Sequence, residues 1–490
     1  MDYLDPKKKL AHRRRLYVGY GLMSIVIAIS TVILVYLGSG YYVDKTGDLI
    51  QNGQILVSSE PEGASIYLND NLQKTKTTGK LVVPSGAHNI SVRKEGYREW
   101  NKKVALDGGS IQRLDYILLV PENIVSSITQ TFAETPTQIT QSLDRRYVSF
   151  IFAERPNAVL LYDLVKPEQP AIEISLPQNL LKNPAVAANF SLIEWSDDNK
   201  HMLIANKDLS GAVLDYLLVS RDQNEQTINL SQRYGLTTQQ LQLINKKRDS
   251  FFVYDAATKT LQTTNLGTTT LTSRLTDVFD YRAYDSNTIL YVTASPEPDK
   301  VLVRMTDGAE TYLIRELPVG SGYVFSIARL GSTYVLGVGS TKDNKVAIYR
   351  NPIGYLKANP NLALPLATTI FQIDSPQYIQ FSTDNSVVMV RGENKLATHY
   401  FEEDKTTRFN SPIALKPGSV VTWADGKHIL LTSEGKVTIV DFDGTNAQQL
   451  GETNDSFGAF FDTNFRSVYT FGNTLRPFNI TRLSMVVSEK

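Results

Sequence analysis

The longest unbroken apolar run in the chain comes near its start. Residues 17–37, YVGYGLMSIVIAISTVILVYL, contain no charged side chain. A helix over this run would reach ~31 Å at about 1.5 Å per residue, the thickness of a bilayer's hydrocarbon core. A buried core helix would not follow the KKK and RRR blocks that precede it. A cleaved signal peptide has an apolar region of about 7–15 residues and a small-residue cleavage site, and Tyr36 and Leu37 fit such a site poorly. The run is therefore predicted to be an uncleaved signal anchor over 17–37, between a basic tail at 1–16 and a juxtamembrane linker at 38–53.

Beyond the linker the pattern shortens to period two. QILVS (54–58), ASIYL (64–68), KLVV (80–83), HNISVR (88–93), KKVAL (102–106) and RLDYILL (113–119) each read as a strand. In HNISVR, Ile90 and Val92 face one way and Asn89, Ser91 and Arg93 the other, the alternation of a half-buried strand. Turn residues separate the runs, among them Pro61-Glu62-Gly63, Pro84-Ser85-Gly86 and Glu95-Gly96. The pattern predicts a small antiparallel β-sandwich over 54–120. Pro61, Gly63, Gly86 and Gly96 serve as turn formers, and Trp100 and Tyr97 are expected in the core rather than as a surface platform.

Residues 121–128 read as a second linker, and from 129 to 490 the chain repeats itself. The unit is a large apolar residue, a polar turn with Asp or Asn, an apolar strand, a gap and a second strand. SLDRRYVSFIF (142–152), EWSDDNKHMLIA (194–205) and IQFSTDNSVVMVRGENKLATHYF (379–401) are copies, and VTWADGKHILLTSEGKVTIVDFDGTNAQQL (421–450) is the clearest. Eight copies over roughly 350 residues give a spacing of about 44, the length of a four-stranded propeller blade. An all-β fold follows: a β-propeller of eight blades, with seven as the alternative. Trp195, Phe381, Trp423 and Phe461, each just before the turn, are expected to fill space between blades. The Pro- and Leu-rich segment 351–370 is either a binding loop or an ordinary connection between blades.

Two family resemblances attach to these residues. SSEPEGASIYLND, followed by VPSGAHNISVRKEGYREW, resembles the PEGA domain, named for the motif that stands here as Pro61-Glu62-Gly63-Ala64. Such domains usually carry a glycine and a Thr-Pro between the second and third strands, where this chain has KTKTTGKL (74–81), so a reshaped, more cationic connection is expected. The resemblance implies a surface module of bacterial and archaeal envelope proteins without assigned catalysis. The repeats W-S-D-D-N-K and W-A-D-G-K, with Asp441-Phe442-Asp443-Gly444 after a strand, resemble TolB-like, WD-type propeller repeats.

Charge gives the anchor a direction. Lys+Arg and Asp+Glu balance at 50 each, yet the tail carries Lys7, Lys8, Lys9, Arg13, Arg14 and Arg15 against Asp2 and Asp5. Only Lys45 follows within fifteen residues of the run. By the positive-inside rule the tail is expected in the cytoplasm and residues 38–490 outside a single-pass cell membrane. The body is weakly acidic, which argues against a nucleic-acid partner. The chain has no Cys, which rules out disulfides and cysteine lipidation.

Motifs for chemistry are sparse. The five His stand at 12, 88, 201, 399 and 428 without metal-ligand spacing, and no H-E-x-x-H, G-x-S-x-G or phosphate-binding loop occurs. Asp441-x-Asp443-Gly444-x-Asn446, with Glu452 at the twelfth position, invites a calcium loop, but a strand precedes it and a turn between strands is the preferred reading. No catalytic, cofactor or metal residue is therefore assigned. The expected function is a membrane-anchored binding or scaffolding module for envelope proteins or cell-wall glycan. The alternatives are a propeller enzyme acting on glycan and a surface sensor that signals through a partner.

Overall fold

The computed structural model describes residues 6–43, 47, 49–182, 189–222, 226–320, 322–416, 419–472 and 477–487. The start of the expected tail (1–5) and much of the first linker (44–46 and 48, with Lys45) lie outside the described residues.

One helix runs from Pro6 to Gly38, well ahead of the predicted start at 17. Lys, Arg, Leu and Ala are good helix formers, so the basic blocks continue the helix rather than interrupt it. Pro6 stands at its first position, where the missing N–H costs nothing. Residues Lys9–Gly38 are long and apolar enough to cross a membrane, with mean hydropathy 2.3 in the most apolar window and no buried side chain there.

The chain divides after Asn123 into two compact units. The smaller one holds two four-stranded sheets. One is built from Tyr41–Val43, Leu49–Glu60, Gly79–Pro84 and Ile111–Leu118. The other has the order Asn71–Lys76, Ser65–Leu68, Gly86–Arg93, Trp100–Leu106. Ile55, Val57, Ile66, Val92 and Trp100 are buried almost completely. Trp100 and Tyr97 lie in the core, as their size demands in so small a unit. Gly63 and Gly96 sit at φ +77° and +78°, a left-handed region that a side chain would strain.

Three details differ from expectation. Leu49–Glu60 pairs in parallel with Ile111–Leu118, so the sandwich is not wholly antiparallel; a period-two pattern carries no information on strand direction. Residues 71–76 form an extra edge strand inside what reads as a connection. NLQKTK is almost entirely exposed and so shows no apolar alternation. The strand Leu49–Glu60 also begins within the expected linker.

The larger unit contains eight four-stranded antiparallel sheets, built in chain order from residues 138–175, 189–229, 240–275, 280–318, 323–372, 378–410, 420–452 and 459–484. The eighth takes its fourth strand, Ser126–Phe132, from the start of the unit. That strand begins inside the expected second linker. Its SSITQTF sequence is mostly exposed, and its partner is some 350 residues away, so no local pattern announces it.

The second strand of each sheet is buried along most of its length, and in most sheets the third is too, as in YVSFI and AVLLYD. The first strands of successive sheets approach one another, as at Asn189–Trp195 with Gln240–Leu243 and Tyr323–Leu330 with Tyr378–Phe381, which makes them the inner edges. Apolar cores bridge neighbouring sheets. Trp195 packs with Tyr147 and Ile151 between the first and second, and Phe381 rests against the core of the fifth and sixth. Phe132, Phe150, Phe471 and Phe478 join the eighth to the first.

Candidate functional site

The turns between first and second strands repeat one device. In the second sheet Asp198 accepts from the Ser196 hydroxyl, from the amides of Lys200 and His201 at 2.8 and 3.2 Å, and from His201 Nδ1 at 2.8 Å. In the seventh, Asp425 accepts from the amides of Lys427 and His428, both at 2.7 Å, and from His428 Nδ1 at 2.7 Å. Burial pulls the Asp198 carboxyl up, but these hydrogen bonds outweigh it and bring the group down to about 2. The same balance lowers Asp425. The two histidines differ in their third neighbour. Arg248 donates to His201 Nε2 at 3.0 Å, so the ring proton sits on Nδ1, whereas Asp441 lies 3.6 Å from His428 Nε2. These residues build turns, as their place in the repeat implies.

The calcium-loop alternative does not assemble. Asp441 is held by Asn446 at 2.9 Å and Thr445 at 3.3 Å. Glu452 lies opposite Lys436, at the far end of the strand that Asp441 terminates, roughly 16 Å away at about 3.3 Å per residue. Among the described residues no group of three or more acidic or histidine ligands converges on one point. In 351–370, Pro352–Ala358 is a short helix whose Ile353 and Leu356 are buried, and Leu362 and Leu366 beyond it are exposed.

One concavity was not singled out by any sequence motif. It is a cavity of about 300 Å³ at the inner edges of the second, third and fourth sheets. Ile193 and Glu194 come from the second sheet, Gln240, Gln242 and Tyr254 from the third, and Asp280, Tyr281 and Arg282 from the fourth. Glu194 is almost fully buried and accepts from the Leu243 amide and Lys246 Nζ, both supplied by the next sheet. Arg282 donates to Asp280 at 3.0 Å. Each carboxylate therefore has a cation in the wall. The Tyr254 hydroxyl donates to the carbonyls of Val278 and Phe279 at 2.8 and 3.1 Å. Tyr281 is 8% exposed, and its ring packs against Phe252 and Tyr254. Burial raises its hydroxyl above the usual tyrosine value, and the charge of Glu194 adds to the effect. The alternation of QLQL and DYRA could have placed one face of each strand on a cavity, but which strands meet there depends on the stacking of sheets.

Residues 52–119 match the family model of the PEGA domain, so the smaller unit carries a PEGA domain. No curated protein matches the chain. Among solved structures, the dihydro-heme d1 dehydrogenase NirN is similar at 13% identity and TM-score 0.41, covering 65% of this chain and 66% of that one. The WD40 domain of SCAP from fission yeast is similar at 9% identity and TM-score 0.41, covering 74% and 98%. The β-propeller domain of Cps50 (Swd1) from Myceliophteria thermophila follows at 10% identity and TM-score 0.34, covering 73% and 99%. At these scores the likeness adds nothing to the strand order described above.

Proposed function

We propose that this is a single-pass protein of the cell membrane that holds a PEGA domain and an eight-bladed β-propeller outside the cytoplasm as a binding or scaffolding surface. Its partners on this reading are envelope proteins or cell-wall glycan. The domain limits follow: tail 1–16, anchor 17–37, PEGA-like sandwich 54–120 and propeller 129–490, with the closing strand drawn from residues just before it. The observation that carries the reading is a fully exposed apolar helix placed directly ahead of a PEGA domain. A PEGA domain is typically an extracellular module, and the basic side chains Arg13–Arg15 precede the apolar run. Closure of the propeller is supported by the pairing of Ser126–Phe132 with Phe478–Ser484 and by side-chain bonds from the eighth sheet to the first, such as the Tyr469 hydroxyl on the Leu164 carbonyl at 3.1 Å.

Glu194 and Asp280 share one cavity, but each is engaged by a neighbouring cation. We read this charge-balanced lining as a binding wall rather than an acid–base pair. Protease added to spheroplasts should digest residues 38–490 and spare the tail. A body protected until the membrane is opened would reverse the topology. Crosslinking in intact cells should then recover defined envelope neighbours.

A further inference from the structure

The cavity at the inner edges of the second to fourth sheets holds two kinds of polar group, and they differ in what they leave available. The charges are paired within the wall: Lys246 with Glu194, Arg282 with Asp280. An incoming anion or cation would have to share its partner with the opposite charge already beside it, so the wall presents no net charge to either. The neutral groups are in the opposite condition. Among the described residues, nothing donates to or accepts from the Tyr281 hydroxyl or the side-chain amides of Gln240 and Gln242. Tyr281 is more than nine-tenths buried, yet its hydroxyl tip stays open to the cavity rather than sealed from solvent. A group kept in that state at a cavity wall is poised for a ligand. Ile193, 40% exposed, adds an apolar patch to the same wall.

We infer that this cavity binds a neutral, hydroxyl-rich ligand, one or two rings of a saccharide. The phenol and two amides supply both donors and acceptors, which match alternating sugar hydroxyls. The apolar patch suits the C–H face of a pyranose. A volume of about 300 Å³ is at the small end of ligand pockets. Exposed Gln240 and Arg282 border the cavity, so a longer chain can leave it towards solvent. The inference rests on reading the larger unit as a binding module and names the ligand class of one site on it.

The test uses the full-length chain in a detergent without a sugar headgroup. Maltotriose and tri-N-acetylchitotriose are titrated calorimetrically, with trigalacturonate as the charged counterpart. At least one neutral trisaccharide should bind, and trigalacturonate should bind ~10-fold or more weakly because the wall sets two cations against two carboxylates and offers it no net positive charge. Tyr281→Phe and Gln242→Leu should each weaken the neutral sugar by ~10-fold, as loss of a buried ligand hydrogen bond does. Tyr281→Phe keeps the ring packing, so its melting temperature should match wild type. Absence of binding by both neutral sugars up to about 10 mM, a range of very weak affinity, overturns the inference. So does preference for trigalacturonate, or binding indifferent to both substitutions. Crosslinking reports separately on the binding-module reading, so a sugar-blind protein with defined neighbours would sink the ligand class alone.

Discussion

At the scale of single residues, the polar side chains inside the larger unit are mostly committed to holding turns and joining sheets. Asp198 and Asp425 each gather three or more hydrogen bonds within one reversal. Asp198→Ala should cost about 1–3 kcal/mol, because amides it satisfies are left without partners; urea unfolding reads this directly. Asp198 also carries a pH dependence. Its folded carboxyl lies below the ordinary value of 3.8, at about 2. Its contribution is thus complete above 3.8 and is lost as pH falls through 2. His399 works in a higher window. It is 1% exposed, set edge-on to Phe401 with ring centroids 4.9 Å apart, and burial lowers its tendency to take a proton below the ordinary 6.5, although Asp404 pulls the other way. The unfolded chain therefore binds the proton first, and stability falls as pH drops below 6.5. Thermal melts between pH 7 and pH 5 should show a smaller loss in His399→Gln than in wild type; equal slopes would refute this role.

Among the elements, the strand Ser126–Phe132 has the greatest leverage. It is the only part of the eighth sheet supplied from the other end of its unit. Phe132 anchors it, packing against Phe150 and Phe152 with ring centroids 5.3 and 5.2 Å apart. Phe132→Ala should destabilise the larger unit by about 3–5 kcal/mol, the usual cost of emptying an aromatic core site. Ile128→Ala on the same strand, where the side chain is 62% exposed, should change stability by less than about 0.5 kcal/mol. Similar losses for both would mean that this strand contributes through its backbone alone. Local sequence could not locate such elements. The exposed strands Asn71–Lys76 and Ser126–Phe132 present few apolar residues, whereas YVSFI or HILLTS, buried along their whole length, announce themselves.

For the whole molecule the decisive element is the helix Pro6–Gly38. Removing residues 1–38 should release the protein from the membrane fraction into the soluble one on fractionation. Replacing Arg13–Arg15 with neutral residues should yield a mixed orientation in the protease assay, since half of the tail's six basic side chains stand there, next to the apolar run. What the sequence by itself determined were the features that rest on local periodicity. A charge-free run specifies the apolar span, alternation specifies the strands, and a large apolar residue followed by an Asp- or Asn-bearing turn marks the repeats, because side-chain direction follows directly from helix and strand geometry. The tertiary structure alone decided which strands pair across long separations: the parallel partner of Leu49–Glu60, the strand that completes the eighth sheet, and the meeting of Glu194 with Lys246 and Tyr281 around one cavity. The physical reason is that pairing and cavity formation depend on the sum of packing over whole sheets, and no short stretch of sequence records where its distant neighbour will come to lie.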